Sequence, residues 1–351
     1  MKHQAIKLFF LLPFFVLCFS FRSNAQSFET PVEYLDYINK ASSELTAKYL
    51  FYLSAVSHGK SARKVEKRRA EVVNAISDTR YKIMAMPPWK GDRALKDTTV
   101  SYLKMLNIVF NEDYGKIVNM EEIAEQSYDA MEAYLLAQEK AQEKLTEASK
   151  KQHDMQKVFA EKNNIKLIDS ESELEAKSKI VNQVMDHCNE TYLIFFKCYK
   201  QEAYLMEAMS KKNLVSIEQN INSLKKFAEE GLEKLKGLKG YNGDASLIAA
   251  CRNMLNYYKS ETAKVSKMSD FFLKEEDFNK IKKQFEAKPA GKRTQQDVDQ
   301  YNKAVNDINA ASNSYNTLSN ELNKEGTSAL NDWNKTYSKY MDEHMPKQQR
   351  Q

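Results

Sequence analysis

Apolar residues recur at three- and four-residue steps along most of the chain, and the strict alternation of a half-buried strand is absent. Start and stop signals cut this pattern into about eight helices. The first opens at Thr30-Pro31-Val32-Glu33, a capping box with proline in the first turn, and ends at His58-Gly59. The second begins at Ser61 and stops at Pro87-Pro88, and Trp89-Lys90-Gly91-Asp92 leads into a third that ends near Asp113. Asn119 reads as the cap of a fourth helix running to about Lys162, with a heptad seam of Met131, Tyr134, Gln138, Ala141, Leu145, Ala148, Gln152, Met155 and Phe159. A fifth opens at the box Ser170-Glu171-Ser172-Glu173 and runs to about Lys212, and a sixth ends in the glycines between Gly237 and Gly243. Asp244 caps a seventh. A short helix with Phe278, Ile281 and Phe285 precedes a Pro-Ala-Gly-Lys-Arg linker, and Thr294 caps the last helix, whose seam runs from Val298 through Tyr301, Val305, Ile308, Ser312, Tyr315 and Ser319 to Leu322.

Two stretches of this pattern look alike. Gly91-Asp92-x-x-Leu95 matches Gly243-Asp244-x-x-Leu247 at an offset of 152, and the same offset pairs Tyr52-Leu53 with Tyr204-Leu205, Ser61 with Asn213, Val65 with Ile217, Val72 with Leu224, Ile83 with Leu235 and Leu103 with Leu255. The expectation is an elongated, all-α protein of two tandem up-down four-helix units with long heptad-patterned helices. Unit one spans 26–165. Unit two spans 166–345 and carries a short inserted helix near 274–287. A signal peptide over 1–25 precedes them and a polar tail over 346–351 follows.

The signal peptide rests on Lys2 and Lys7 before an apolar run from Leu8 to Phe19, then Ser23-Asn24-Ala25 at the positions a signal peptidase reads. The run is about a dozen residues, short of the ~20 needed to cross a bilayer. Cys18 follows Leu17 inside that run, whereas a lipidation site wants a small residue there. No later segment is apolar enough to span a membrane, so none is expected after cleavage, and the expected location is the periplasm or cell surface of a Gram-negative bacterium. Cleavage after Ala25 removes Lys2, Lys7 and Arg22. The 53 Lys and Arg fall by these three to 50, against 48 Asp and Glu, and a net of +2 gives no argument for nucleic acid.

Cys188, Cys198 and Cys251 remain. Cys188 and Cys198 lie ten residues apart on one predicted helix, about 15 Å of rise, too far for a disulfide. Either could pair with Cys251, which leaves the other free. His58-Gly59-Lys60-Ser61 lacks the glycine five residues earlier that a phosphate-binding loop needs, since Ser54 stands there. Glu-x-x-His, the di-metal signature of helical bundles, and Cys-x-x-Cys are both absent. The adjacent pair His187-Cys188 points about 100° apart on a helix and cannot act as nucleophile and base. No catalytic residue, metal or cofactor is expected.

What remains is charge on helix faces. Lys60, Arg63, Lys64, Lys67 and Arg68 share one face at the start of the second helix, opposite its apolar side. Glu121 and Glu122 open the acidic start of the fourth. In an up-down bundle the first and third junctions meet at one end, so His58 and Lys60 should lie near Glu112, Asp113 and Tyr114, beside Glu121 and Glu122. That end of unit one is the candidate site for an envelope protein or anionic surface. Arg69 and Asp113 fall on inward faces at the same level, where the offset of 152 places Ile221 and Val265, so a partly buried Arg69–Asp113 ion pair is expected.

Three stretches resemble an uncharacterised family of exported helical proteins from Bacteroidetes and leptospires: His58 to Lys64 with Lys67-Arg68-Arg69, Asn111 to Val118, and Met120 to Tyr134. The resemblance covers mainly residues 34–145. It implies a surface or secreted compartment and assigns no activity. Asp97-Thr98-Thr99 also resembles the short O-glycosylation signal of Bacteroidetes envelopes. The function expected is therefore a non-enzymatic envelope or secreted protein that binds or spaces partners through helix faces. The alternative is a carrier for a small molecule or ion inside one bundle, suggested by 19 Tyr and 14 Met.

Overall fold

A computed structural model of the chain describes residues 27–57, 62–167 and 173–346. The signal-peptide reading, the junction holding His58, Lys60 and Ser61, the Ser170–Ser172 part of the fifth-helix cap and all but the first residue of the tail lie outside them. The described residues are all-α, with nine α-helices and no strand: α1 Pro31–Ser57, α2 Ala62–Ala85, α3 Ala94–Ile108, α4 Tyr114–Ala124, α5 Tyr128–Lys162, α6 Glu173–Ser210, α7 Leu214–Gly237, α8 Ser246–Ala287 and α9 Gln295–His344. A π-turn, Val109–Asp113, joins α3 to α4 without a break. No described helix is long and apolar enough to cross a membrane.

Side-chain caps set several helix starts. The Thr30 and Glu33 side chains bond each other's backbone N–H at α1, Asn213 accepts from Ser216 N at α7, and Thr294 and Asp297 form a full capping box at α9. Two boundaries differ from the sequence reading. Asn119 lies inside α4. The cap that starts the long helix is Ser127, whose hydroxyl accepts from Ala130 N after the chain turns at Glu125-Gln126. The short helix near 274–287 is not an insertion but the last third of a 42-residue α8. Nothing between Tyr257 and Phe285 breaks the helix, so it propagates.

The helices close around two hydrophobic cores. One is built from α1 to α5 and includes Tyr34, Ile38, Val72, Ile83, Leu103 and Phe159; the other is built mainly from α6 to α9 and includes Phe196, Leu224, Leu255, Tyr258 and Trp333. Leu53 and Tyr134 pack against both. The turns before α3 and α8 repeat in detail. Trp89 bridges Asp92 and Tyr241 bridges Asp244, Lys90 and Asn242 both have positive φ, and Gly91 and Gly243 sit at φ 85° and 86°, where an L-residue is strained. Each aspartate then accepts from the backbone N–H two residues on, at 2.8 Å.

Burial gives the register between the halves. Val65, Val72, Ile76 and Ile83 of α2 match Ile217, Leu224, Ala228 and Leu235 of α7 at 152. Along α1 and α6, however, the buried positions match at 153: Leu35 with Cys188, Ile38 with Thr191, Leu45 with Cys198, Tyr52 with Leu205, Ala55 with Ala208. The pairing of Tyr52 with Tyr204 is thereby corrected, since Tyr52 is buried and Tyr204 is exposed. From Ala55 to Val65 the first half takes ten steps and from Ala208 to Ile217 the second takes nine, which is the extra residue. α5 and α9 match at 181: Ala141 with Leu322, Gln152 with Trp333, Phe159 with Tyr340.

Candidate functional site

The described residues of the candidate polar end have separate surroundings. Arg63, Lys64 and Lys67 are exposed, and Arg68 pairs with Glu71 at 2.6 Å while lying over the Phe51 ring. Glu112 is exposed. Tyr114 is buried and stacks on Phe110 with ring centres 5.0 Å apart. His58, Lys60 and the Glu121 and Glu122 side chains fall outside the described residues.

The Arg69–Asp113 pair does not form. Arg69 reaches the junction, as the antiparallel reading requires, but its guanidinium donates to both oxygens of Glu66 and to the Phe110 carbonyl at 2.6 Å. Asp113 instead pairs with Lys144 of α5 at 2.7 Å. The cause is the π-turn. A π-turn holds one more residue than an α-turn, so every residue after it rotates off the position that a regular helix would give. Before the turn the halves match at 152, as in Leu106 with Tyr258. After it Tyr114 matches Val265 and Ile117 matches Met268, at 151. Tyr114, not Asp113, holds the inward position. Thr99 of the Asp97–Thr99 triplet is buried too, donating to the Leu95 carbonyl and accepting from Gln152.

A more chemically loaded site lies in the second half, between α6, α8 and α9. It is a cleft of about 330 Å³ lined by Met206, Met209, Met254, Met268 and four tyrosines, with Glu202 and Glu261 among them. Glu261 is 2% exposed. Its Oε1 accepts from the Tyr257 hydroxyl at 3.0 Å, while its Oε2 and the Tyr258 hydroxyl lie buried with no partner other than the neighbouring Glu202 carboxyl. Burial first, then the neighbouring Glu202 carboxylate, pushes Glu261 up to about 8. Burial also raises Glu202, against the pull of Glu261 and Tyr258. Two carboxyls this close, in a partly dry site, share one proton near neutral pH. Among the described residues neither forms an ion pair; Lys264 on the same helix is taken by Glu321 and Glu325.

The sequence builds this cleft by small exchanges on a shared frame. By the register above, Glu202 stands where the first half has Tyr49, Glu261 where it has Val109, and Gly326 where it has Leu145. In the first half Tyr49 and Tyr52 meet Phe110 edge-on, at 5.6 and 5.9 Å, and Leu145 is buried beside them in the same core. In the second, a Cβ on Gly326 would sit 2.6 Å from the Tyr257 hydroxyl, so only glycine lets that ring lie across α9. The readable signals were a lone glycine inside a helix pattern and a glutamate on the stripe Met254, Tyr258, Glu261, Val265, Met268.

The other polar clusters offer less. His344 bonds Asp244 at 2.8 Å and clasps the repeated turn, as Asn163 does for Trp89 in the first half. Burial opposes ionisation of Asp244, but bonds from His344 and Ser246 overcome it and hold its carboxyl down at about 2. Cys188, Cys198 and Cys251 are all free, buried thiols pushed up to about 12 by burial, so no pairing with Cys251 forms and none is a ready thiolate. No group of three or more His, Cys, Asp or Glu among the described residues could hold a metal ion. Comparison with known proteins gave no match to any family, curated protein or solved structure.

Proposed function

We propose that this is an exported envelope protein that binds a small molecule in its second bundle, the two halves being tandem four-helix units of common ancestry. The observation that carries the reading is the contrast at matched positions: Tyr49, Val109 and Leu145 in one half, and Glu202, Glu261 and Gly326 around a cleft in the other. A bundle that keeps a buried carboxyl with no cation beside it where its twin keeps valine bears a stability cost, and a ligand site accounts for it. Binding is favoured over catalysis because the cleft holds no activated nucleophile. Export rests on residues 1–25. The test is native mass spectrometry of the protein purified from its own envelope without denaturant. One small molecule per chain is expected, and its loss in Gly326→Leu, which fills the cleft as Leu145 does. An empty wild-type protein that also binds nothing from a metabolite extract would end the reading.

One observation favours partner spacing as a second role. Beyond Phe272 no described residue of α8 is buried, and none of α9 is before Ala304, so the two helices run on as a hairpin. Its sides meet through Phe285 stacked on Tyr301 at 4.4 Å, with Arg293 over Phe285. Cross-linking in the intact envelope should trap a partner through 276–303; unchanged yields after deletion of that hairpin would remove this role.

A further inference from the structure

The ligand's chemistry can be narrowed from the cleft itself, resting on the reading that the cleft is a ligand site. Glu261 Oε2 and the Tyr258 hydroxyl are both buried, and beyond the neighbouring Glu202 carboxyl neither meets a partner. An acceptor oxygen in that position asks for a donor, and two adjacent carboxyls ask for positive charge. Among the described residues no cation pairs with them, since Lys264 is held by Glu321 and Glu325. The remaining walls are methionine and tyrosine. They provide soft apolar surface and aromatic faces, the lining that suits a cation carried on an apolar body. A bare metal ion fits less well. Ca²⁺ wants six to eight oxygens, as a general rule, and the cleft has far more room than one ion needs.

We propose that the cleft binds a small organic cation, a protonated primary amine on an apolar or aromatic chain, with its ammonium seated between Glu202 and Glu261. The ammonium donates to Glu261 Oε2 and Glu202, the chain lies along Met206, Met254 and Tyr315, and Tyr258 closes behind the head group. In the empty cleft the carboxyl pair holds one shared proton. The ammonium takes its place, so binding releases a proton to solvent while the amine keeps its own. The titratable groups facing the pair are Cys198 and Tyr199 from α6, Tyr257 and Tyr258 from α8, and Tyr315 and the Lys264-bound Glu325 from α9. Burial raises Tyr257 and Tyr258, so both stay neutral and neither supplies the released proton.

Phenethylammonium is the probe, titrated calorimetrically into the full-length protein at pH 7 in two buffers of different ionisation enthalpy. The neutral isostere 2-phenylethanol and Ca²⁺ are the comparison arms. We expect one site per chain, release of a fraction of a proton to one proton seen as a buffer-dependent heat, and at least tenfold weaker binding of 2-phenylethanol. Glu261→Gln and Glu202→Gln should each weaken the amine by about tenfold or more, the loss of one charge-assisted bond of ~1.5 kcal/mol, and abolish proton release. Either variant suffices if the other fails to fold. If 2-phenylethanol binds as well as the amine and ignores both variants, the cationic class is overturned while the ligand site stands. Binding of Ca²⁺ without the amine overturns it in favour of a metal. If none of the three binds, the cation proposal is overturned, and the ligand site falls with it only if the native protein also carries nothing.

Discussion

The buried positions of α1, α2 and α3 match those of α6, α7 and α8 at offsets of 153, 152 and 152, yet the two interiors do opposite things. In the first, Tyr49, Tyr52, Phe110 and Tyr114 meet ring to ring and Leu145 shares their core. In the second, the matched positions carry Glu202, Leu205, Thr262, Val265 and Gly326, and a cleft opens beside the buried Glu261 and the half-buried Glu202. A frame needs its apolar stripes and its turns, and both halves keep these: the buried stripes of α2 and α7 and the Gly91 and Gly243 turns. A frame does not need a glutamate at 2% exposure. On the ligand-site reading, that difference assigns the buried glutamate to binding and the shared stripes and turns to stability.

The largest separation between the halves should appear in pH. Glu261 sits at about 8 in the folded chain against 4.5 for an ordinary glutamate. Between those values the folded state binds more protons than the unfolded one, so stability falls as pH rises through the window. Asp244, held at about 2, completes its titration below it. His187, lowered by burial, acts the other way by favouring the folded state as pH rises. The comparison of wild type with Glu261→Gln cancels that term. Urea unfolding from pH 5 to 8.5 should show wild type weakening relative to Glu261→Gln as pH rises, with no such divergence for Val109→Gln. Parallel curves for wild type and Glu261→Gln would mean the carboxyl is not dry.

Next in size is the packing of the first half. Leu145 is buried where the second half has Gly326. Leu145→Ala should cost about 3 kcal/mol, the middle of the range for buried leucine. Urea unfolding measures it, and a cost under ~1 kcal/mol would show that this interior tolerates a hole and that the contrast between the halves is one of polarity alone.

How much of this was legible in the sequence depends on which forces act locally. Periodicity, caps and the Gly-Asp turns are short-range, so the helices, the Thr294 cap of α9 and the repeated turns were readable. Two single-residue offsets were not. The extra residue between Ala55 and Val65 and the one in the π-turn leave every local propensity unchanged while shifting the register of the residues beyond them, and they misplaced Tyr204 and Asp113. The seventh helix was cut short because the polar residues past Phe272 look like a linker, although a two-helix hairpin needs only one narrow seam. The acidic cleft was missed for a different reason. Glu202 and Glu261 lie 59 residues apart and meet only through the packing of α6 on α8.

A smaller effect tests the π-turn. Arg69 donates to the Phe110 carbonyl at 2.6 Å, and its side chain is 14% exposed. Arg69→Met keeps the stem's packing and strands that carbonyl, at a cost of about 2 kcal/mol. At the matching position the second half has Ile221, so Ile221→Met should cost well under that in the same urea assay. Equal costs would show that Arg69 acts by packing alone.

The smallest effect separates Arg69 from Asp113. Asp113 meets Lys144 through a contact whose lysine is half exposed. Exposed pairs of this kind contribute about 0–1 kcal/mol, so Asp113→Ala should cost roughly 0.5 kcal/mol, and less in high salt. Because Arg69 spends its donors on Glu66 and Phe110, the two side chains share no partner. The Arg69→Met, Asp113→Ala double variant should then equal the sum of the single variants within about 0.5 kcal/mol. A coupling of about 1 kcal/mol or more, in the range expected for residues in contact, would mean that the pair meets in solution after all and that the π-turn does not hold Asp113 away from the interior. A salt-sensitive loss confined to Asp113→Ala would instead identify Lys144 as its partner and leave the turn as the one-residue insertion that distinguishes the first bundle from the second.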